Sequence, residues 1–148
     1  MRKTLFLLFA VALFAACSND IIYSRFVPIP TGEWSLDSVA RFDYAVADKD
    51  AGYNVVLYVR HTERYPYQNM WVFTNDNGRC DTIEFYLADD RGRWLGDKRH
   101  GFIEMPVLLE DSKHFADTGQ YFLEVRHGMR DTLLRGVTDI GLEIRRNE

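Results

Sequence analysis

Cysteine, basic blocks and long apolar runs are scarce in this chain of 148 residues, and each scarcity excludes something. There are two cysteines, Cys17 and Cys80, with no CxxC pair and no Cys/His spacing of a zinc site. That excludes a thioredoxin-like redox motif and a zinc knuckle. The longest apolar run covers residues 4–16, short of the roughly 20 residues that cross a bilayer as a helix. Lys and Arg number 18 against 22 Asp and Glu, a net charge of −4 with no cationic block. Such a balance argues against nucleic acid as a partner and against electrostatic attachment to anionic lipid. No Gly-rich phosphate loop, serine nucleophile elbow or zinc signature occurs. No stretch of about ten residues keeps a helical apolar spacing.

What is present begins at the N-terminus. Arg2 and Lys3 precede an apolar run from Leu5 to Phe14, then Ala15, Ala16 and Cys17. A basic start, a short apolar segment and small residues at a cleavage point make a secretory signal. A cysteine directly after the small pair resembles a bacterial lipobox, with Phe14 where the common motif has Leu. Residues 1–16 are therefore expected to be removed, and Cys17 to be the lipidation site. Residues 17–20 form a short tether and 21–148 the domain. Loss of Arg2 and Lys3 moves the net charge from −4 to −6. Membrane attachment then has to come from the lipid. With Cys17 consumed, Cys80 has no partner, and it is expected to be a buried structural thiol.

The rest of the chain has a period of two. Residues 21–27 read as an edge strand closed by Pro28 and Pro30. Thr31-Gly32-Glu33-Trp34 is a turn leading to a large apolar anchor. Phe42, Tyr44 and Val46 share one face. Residues 53–61 are the strongest strand, with Tyr53, Val55, Leu57 and Val59 on one face and Val56 and Tyr58 on the other. That pattern predicts a central strand covered on both sides. Residues 69–74 follow, with Trp71 as a buried inter-sheet anchor. Asn75-Asp76-Asn77-Gly78 is a hairpin turn. Ile83, Phe85 and Leu87 face inward on the next strand, and Asp89-Asp90-Arg91-Gly92 makes another turn. Residues 101–109 give a strand with Pro106 at an edge or bulge. A helical turn is expected at 110–115, then strands at 119–127 and 137–145. About eight short strands predict a single all-β sandwich of immunoglobulin-like or jelly-roll topology.

Asp117-Thr118-Gly119-Gln120-Tyr121 has the D-x-G-x-Y form of a tyrosine corner, in which the phenol bonds back to upstream backbone. His61 and His127 each follow an arginine at a strand end and are expected to be partly exposed and hydrogen-bonded. No third ligand accompanies them, so no metal is assigned. The acidic turns lack the spacing of a calcium loop. Tyr65, Tyr67, Trp71 and Trp94 could form an aromatic platform for a sugar ring. No residue is assigned a catalytic or cofactor-binding role.

The sequence resembles the gliding motility lipoproteins of the GldH family. The likeness rests on the lipobox at Cys17 and on Tyr53-Asn54-Val55-Val56-Leu57-Tyr58-Val59-Arg60-His61. It continues through Tyr65-Pro66-Tyr67-Gln68-Asn69-Met70-Trp71, Asp81-Thr82-Ile83-Glu84-Phe85-Tyr86-Leu87 and Trp94-Leu95-Gly96. Gly136-Val137-Thr138-Asp139-Ile140-Gly141-Leu142 completes it. The resemblance implies a non-catalytic accessory, held in the outer membrane by acylated Cys17. It implies other envelope motility or secretion proteins as partners. A glycan-binding module is the alternative.

Overall fold

The computed structural model describes residues 20–147. The expected signal and Cys17 lie outside the described residues. In chain order the strands are β1 (Ile21–Pro28), β2 (Glu33–Ser35), β3 (Ala40–Val46), β4 (Tyr53–His61), β5 (Asn69–Asp76) and β6 (Arg79–Tyr86). They continue with β7 (Asp97–Lys98), β8 (Ile103–Lys113), β9 (Gly119–His127), β10 (Leu133–Arg135) and β11 (Val137–Arg146). A single 3-10 turn, Pro30–Gly32, follows β1. Leaving aside β2, β7 and β10, which are two or three residues long, the long strands match the expected set of about eight. Elements that short present no alternation for a sequence to show.

One sheet has the order β1-β11-β4-β8-β7, the other β3-β9-β5-β6, and β2 pairs with β10 in a small ribbon. The antiparallel pairs are nested: β5 with β6, β4 with β8, β3 with β9 and β1 with β11. A long hairpin rolled so that its successive pairs alternate between two sheets is a jelly roll. The immunoglobulin arrangement, ABED against CFG, is not the one adopted.

The alternation in the sequence drives this packing. Phe42, Tyr44 and Val46 from β3 are buried, as are Val55, Leu57 and Val59 from β4 and Ile140, Leu142 and Ile144 from β11. Trp34 is fully buried and its indole N–H donates to the Ser38 carbonyl at 3.1 Å. β4 is central as expected, but its second face is only half-buried. Among the described residues no helix covers that face; Phe26 packs on Tyr58 there, and the Arg60 guanidinium lies 3.5 Å from the Phe26 ring centre.

The helical turn expected at 110–115 is not formed, because β8 runs on through Lys113. Ser112 adopts φ +52° and its N–H donates to Asn54 Oδ1 at 3.1 Å. The resulting irregularity opposite Tyr53 and Val55 lets the strand continue.

The antiparallel order gives the sandwich two ends. The first described residue, Asp20, accepts the Arg146 N–H through its carbonyl at 2.7 Å. The 47–52 turn, the Asn77-Gly78 turn and the 114–118 link share that end. There Lys113 of the first sheet pairs with Asp76 of the second, and Glu110 and Arg79 adjoin them. The segments 29–32, 62–68, 87–102 and 128–132 lie at the opposite end. At about 3.4 Å per residue, the eight residues of β1 separate the two ends by about 27 Å.

Candidate interaction surface

The second sheet turns one face to the core and leaves the other open. Along β5, Met70, Val72 and Thr74 are buried, while Trp71 and Phe73 stand on the outer face, 38% and 41% exposed. The expectation of a buried Trp71 is therefore overturned, and Trp34 is the anchor inside. Met70-Trp71-Val72-Phe73 is apolar on both faces, so its periodicity does not choose a side. The hairpin does. Its two-residue turn pairs Met70 with Phe85 and Val72 with Ile83, and those β6 residues belong to the inward stripe.

Trp71 and Phe73 line a trough of about 410 Å³ with Tyr67, Gly128, Met129 and Arg130. The Gly128 N–H donates to the Trp71 carbonyl at 2.6 Å. The Trp71 N–H in turn lies 3.3 Å from the Met129 sulfur. Gly128 brings its backbone so close that a Cβ there would stand 3.1 Å from Phe73 Cζ. The rim is polar. The Tyr67 hydroxyl donates to Asp131 Oδ2 at 2.7 Å, and that carboxylate holds the phenol above its ordinary pKa. The Asn69 amide donates to Glu84 Oε1 at 2.7 Å. Beyond Phe73 a second depression runs past Val39 and Arg126 to Cys80. Tyr86 is exposed beside Asn69. These side chains form one apolar band with polar margins, lying mostly toward the end opposite Asp20.

Of the four aromatics considered for a sugar platform, Tyr67 and Trp71 share this surface. Tyr65 is buried, with its hydroxyl donating to the Asn69 carbonyl at 2.6 Å. Trp94 is half-buried with its ring centre 4.6 Å from that of His61. Phe73 and Met129 were not singled out from the sequence.

The expectation for the two histidines is overturned too. His61 and His127 are fully buried rather than partly exposed. His61 keeps one contact, Nδ1 to the Thr62 carbonyl at 3.1 Å, and its Nε2 has no partner. His127 packs on Trp34 with both ring nitrogens unpartnered. Burial lowers the pKa of both imidazoles.

Cys80 is exposed, not buried as expected. It sits opposite Asn75 on β6, the outermost strand of the sheet, where one flank has no neighbouring strand among the described residues. The acidic turns are accounted for by their own backbone. Asn75 Oδ1 accepts the Gly78 N–H at 2.9 Å, with Asn77 and Gly78 both at positive φ. Asp89 accepts the Arg91 and Arg93 N–H groups, which lower its pKa. The corner motif forms its back-bond: the Tyr121 hydroxyl donates to the Asp117 carbonyl at 2.6 Å.

A family model described as GldH lipoprotein matches residues 21–144. The chain is 25% identical to a protein named gliding motility lipoprotein GldH homolog from Christiangramia forsetii, over 95% of this chain and 93% of that one. It is 24% identical to gliding motility lipoprotein GldH from Flavobacterium johnsoniae, over 96% and 95%. The crystal structure of dimeric latent PorU from Porphyromonas gingivalis aligns with 86% of this chain and 13% of that one, at 10% identity and a TM-score of 0.40. At that score the likeness carries no argument.

Proposed function

The chain belongs to the GldH lipoprotein family, and from that membership we propose a non-catalytic accessory of the gliding motility and associated protein secretion machinery. Acylated Cys17 holds it in the outer membrane, and it works through protein contacts. The observation that carries the reading is the exposed band of Tyr67, Trp71, Phe73 and Met129. Aromatic residues, Met and Arg are the types enriched where proteins meet, and charged residues are depleted from interface centres. Three residues, 18–20, separate Cys17 from β1. A tether that short keeps the domain end at Asp20 against the bilayer and turns the opposite end toward envelope partners at high effective concentration.

The test is a strain lacking its own copy, complemented with full-length variants and scored for surface spreading and protein secretion. Trp71→Ala and Phe73→Ala should abolish complementation with folding and membrane attachment intact. Asp89→Ala and Asp90→Ala should leave it unchanged. Full activity of both aromatic variants defeats the reading.

The size of the trough favours a second reading. About 410 Å³ falls within the range of small-ligand sites. Tyr67 and Trp71 offer ring faces, and Asn69 with Arg130 offers polar groups, for an envelope sugar. Titration with defined envelope oligosaccharides separates the two. Saturable quenching of tryptophan fluorescence that Trp71→Ala removes supports the sugar, and an unchanged signal rejects it.

A further inference from the structure

We propose that β6 accepts an added strand from the partner protein along its open edge. The proposal rests on the docking reading above and specifies how the partner is held.

β6 is terminal in its sheet. Its register with β5 is unbroken from Arg79 to Tyr86. The two-residue turn at Asn77-Gly78 makes Asp76 and Arg79 a hydrogen-bonded pair. By alternation, residues 81, 83 and 85 bond to β5, and residues 80, 82, 84 and 86 turn their N–H and C=O groups outward. Two flanking contacts agree with this phase. Trp71, opposite Glu84, gives its carbonyl to Gly128 on the other side of β5, and the Leu87 N–H continues the ladder to Gln68.

Edges are normally blunted by proline, charge, bulges or cover. The other edges of this molecule show those devices. β1 ends in Pro28 and slips register near Ile21. β8 carries Pro106 and is covered in part by β7. β3 carries Arg41 paired with Asp43. β6 has no proline and no bulge; its charged residues are Arg79, paired with Glu110, and the two carboxylates Asp81 and Glu84. The Asp81 carboxylate plugs one outward donor, accepting the Thr82 N–H at 2.8 Å.

The pattern of groups names the occupant. Outward donors and acceptors recurring every second residue, about 6.8 Å apart, match an extended chain. Side chains of the added strand would continue the outer-face rows Trp71–Glu84 and Phe73–Thr82. The edge and the aromatic band are thus one continuous surface. Glu84, on the outer face beside Trp71, favours a strand bearing Lys or Arg at the facing position.

The test uses the full-length acylated protein in native membranes, with amide exchange measured in the peptide spanning 79–87. Protection in the assembled state beyond the level that the β5 ladder gives the purified protein is the expected result. Thr82→Pro deletes the outward N–H that Asp81 now accepts and puts a proline ring on the edge, which closes that position to an added strand without touching the β5 ladder. Glu84→Lys reverses the edge charge without any backbone change. Each should lower recovery of the crosslinked assembly about tenfold, the scale of one or two backbone hydrogen bonds. If Trp71→Ala lowers recovery and neither edge variant does, the band docks the partner and the strand proposal is overturned. If none of the three does, both readings fail. Protection that appears in the purified protein at high concentration, with doubled mass, makes the occupant a second copy and also overturns the proposal.

Discussion

Gly128 and Phe73 stand in tight contact: a Cβ built on Gly128 would lie 3.1 Å from Phe73 Cζ. It would also lie 3.3 Å from the Trp71 Cβ. A side chain at position 128 therefore presses on both residues, and the exposed Phe73 ring has to give way. Gly128→Ala leaves the buried stripe of Met70 and Val72 in place and displaces the Phe73 ring. Stability should move by no more than about 1 kcal/mol, since alanine also restricts the unfolded chain. Partner recovery should fall about tenfold, a change of 1.4 kcal/mol. Wild-type recovery from a folded Gly128→Ala variant would show that the shape of the trough is irrelevant.

Tyr121 makes a second separable contribution. Its hydroxyl bonds the Asp117 carbonyl at 2.6 Å while its ring packs edge-to-face with Phe115, centres 4.6 Å apart. Tyr121→Phe keeps the ring and deletes the bond. Urea unfolding should show a loss of about 0.5–1.5 kcal/mol, because the hydroxyl is only half-buried and water can satisfy the carbonyl. A loss above about 3 kcal/mol would mean that the bond organises the whole 114–118 link.

Residues that alternate cleanly were legible. Phe42, Tyr44 and Val46, or Ile140, Leu142 and Ile144, placed themselves, because one face was polar and the other apolar. Trp71 was not legible, because its neighbours are apolar on both sides and only pairing with β6 fixes the phase. Cys80 was misjudged for a related reason. A cysteine prefers burial on average, but its position on an outermost strand is a property of the sheet order. His61 and His127 lie two residues past buried valines, which placed them on the inward stripe. The cover supplied by Trp94 and Trp34 comes from segments far away in the chain. The apolar band shares this origin, since β5 and the 128–130 link meet only through the β5–β9 pairing.

Cys17 lies outside the described residues, and its role is tested chemically. Cys17→Ala should abolish palmitate labelling and release the protein from the membrane fraction. The folded domain should keep its unfolding midpoint, since the buried core is built from strands within residues 21–146. Spreading should be lost even though the aromatic band is unchanged, because tethering sets the effective concentration. Continued labelling of the Cys17→Ala variant would move the lipid elsewhere.

The buried imidazoles give the fold a pH dependence whose sign follows from their environment. His61 and His127 are held below the ordinary histidine value by loss of solvent. In the unfolded chain both return to about 6.5. Between the lowered folded values and 6.5 the unfolded state binds more protons, so stability rises with pH there. The contribution is complete above about pH 6.5 and is lost as pH falls through the folded values. Unfolding free energy measured from pH 7.5 down to 5.5 should therefore decline, with a limiting slope of about 1.4 kcal/mol per pH unit for each histidine. That window lies above the ordinary carboxylate range, so the acidic side chains contribute little to the slope. His127→Leu should remove part of it. His61→Leu should flatten the remainder but lower stability at pH 7.5 as well, through loss of the Thr62 contact. A wild-type curve that is flat or rises toward pH 5.5 would mean that both rings gain a proton in the fold, and that charge is accommodated in the core.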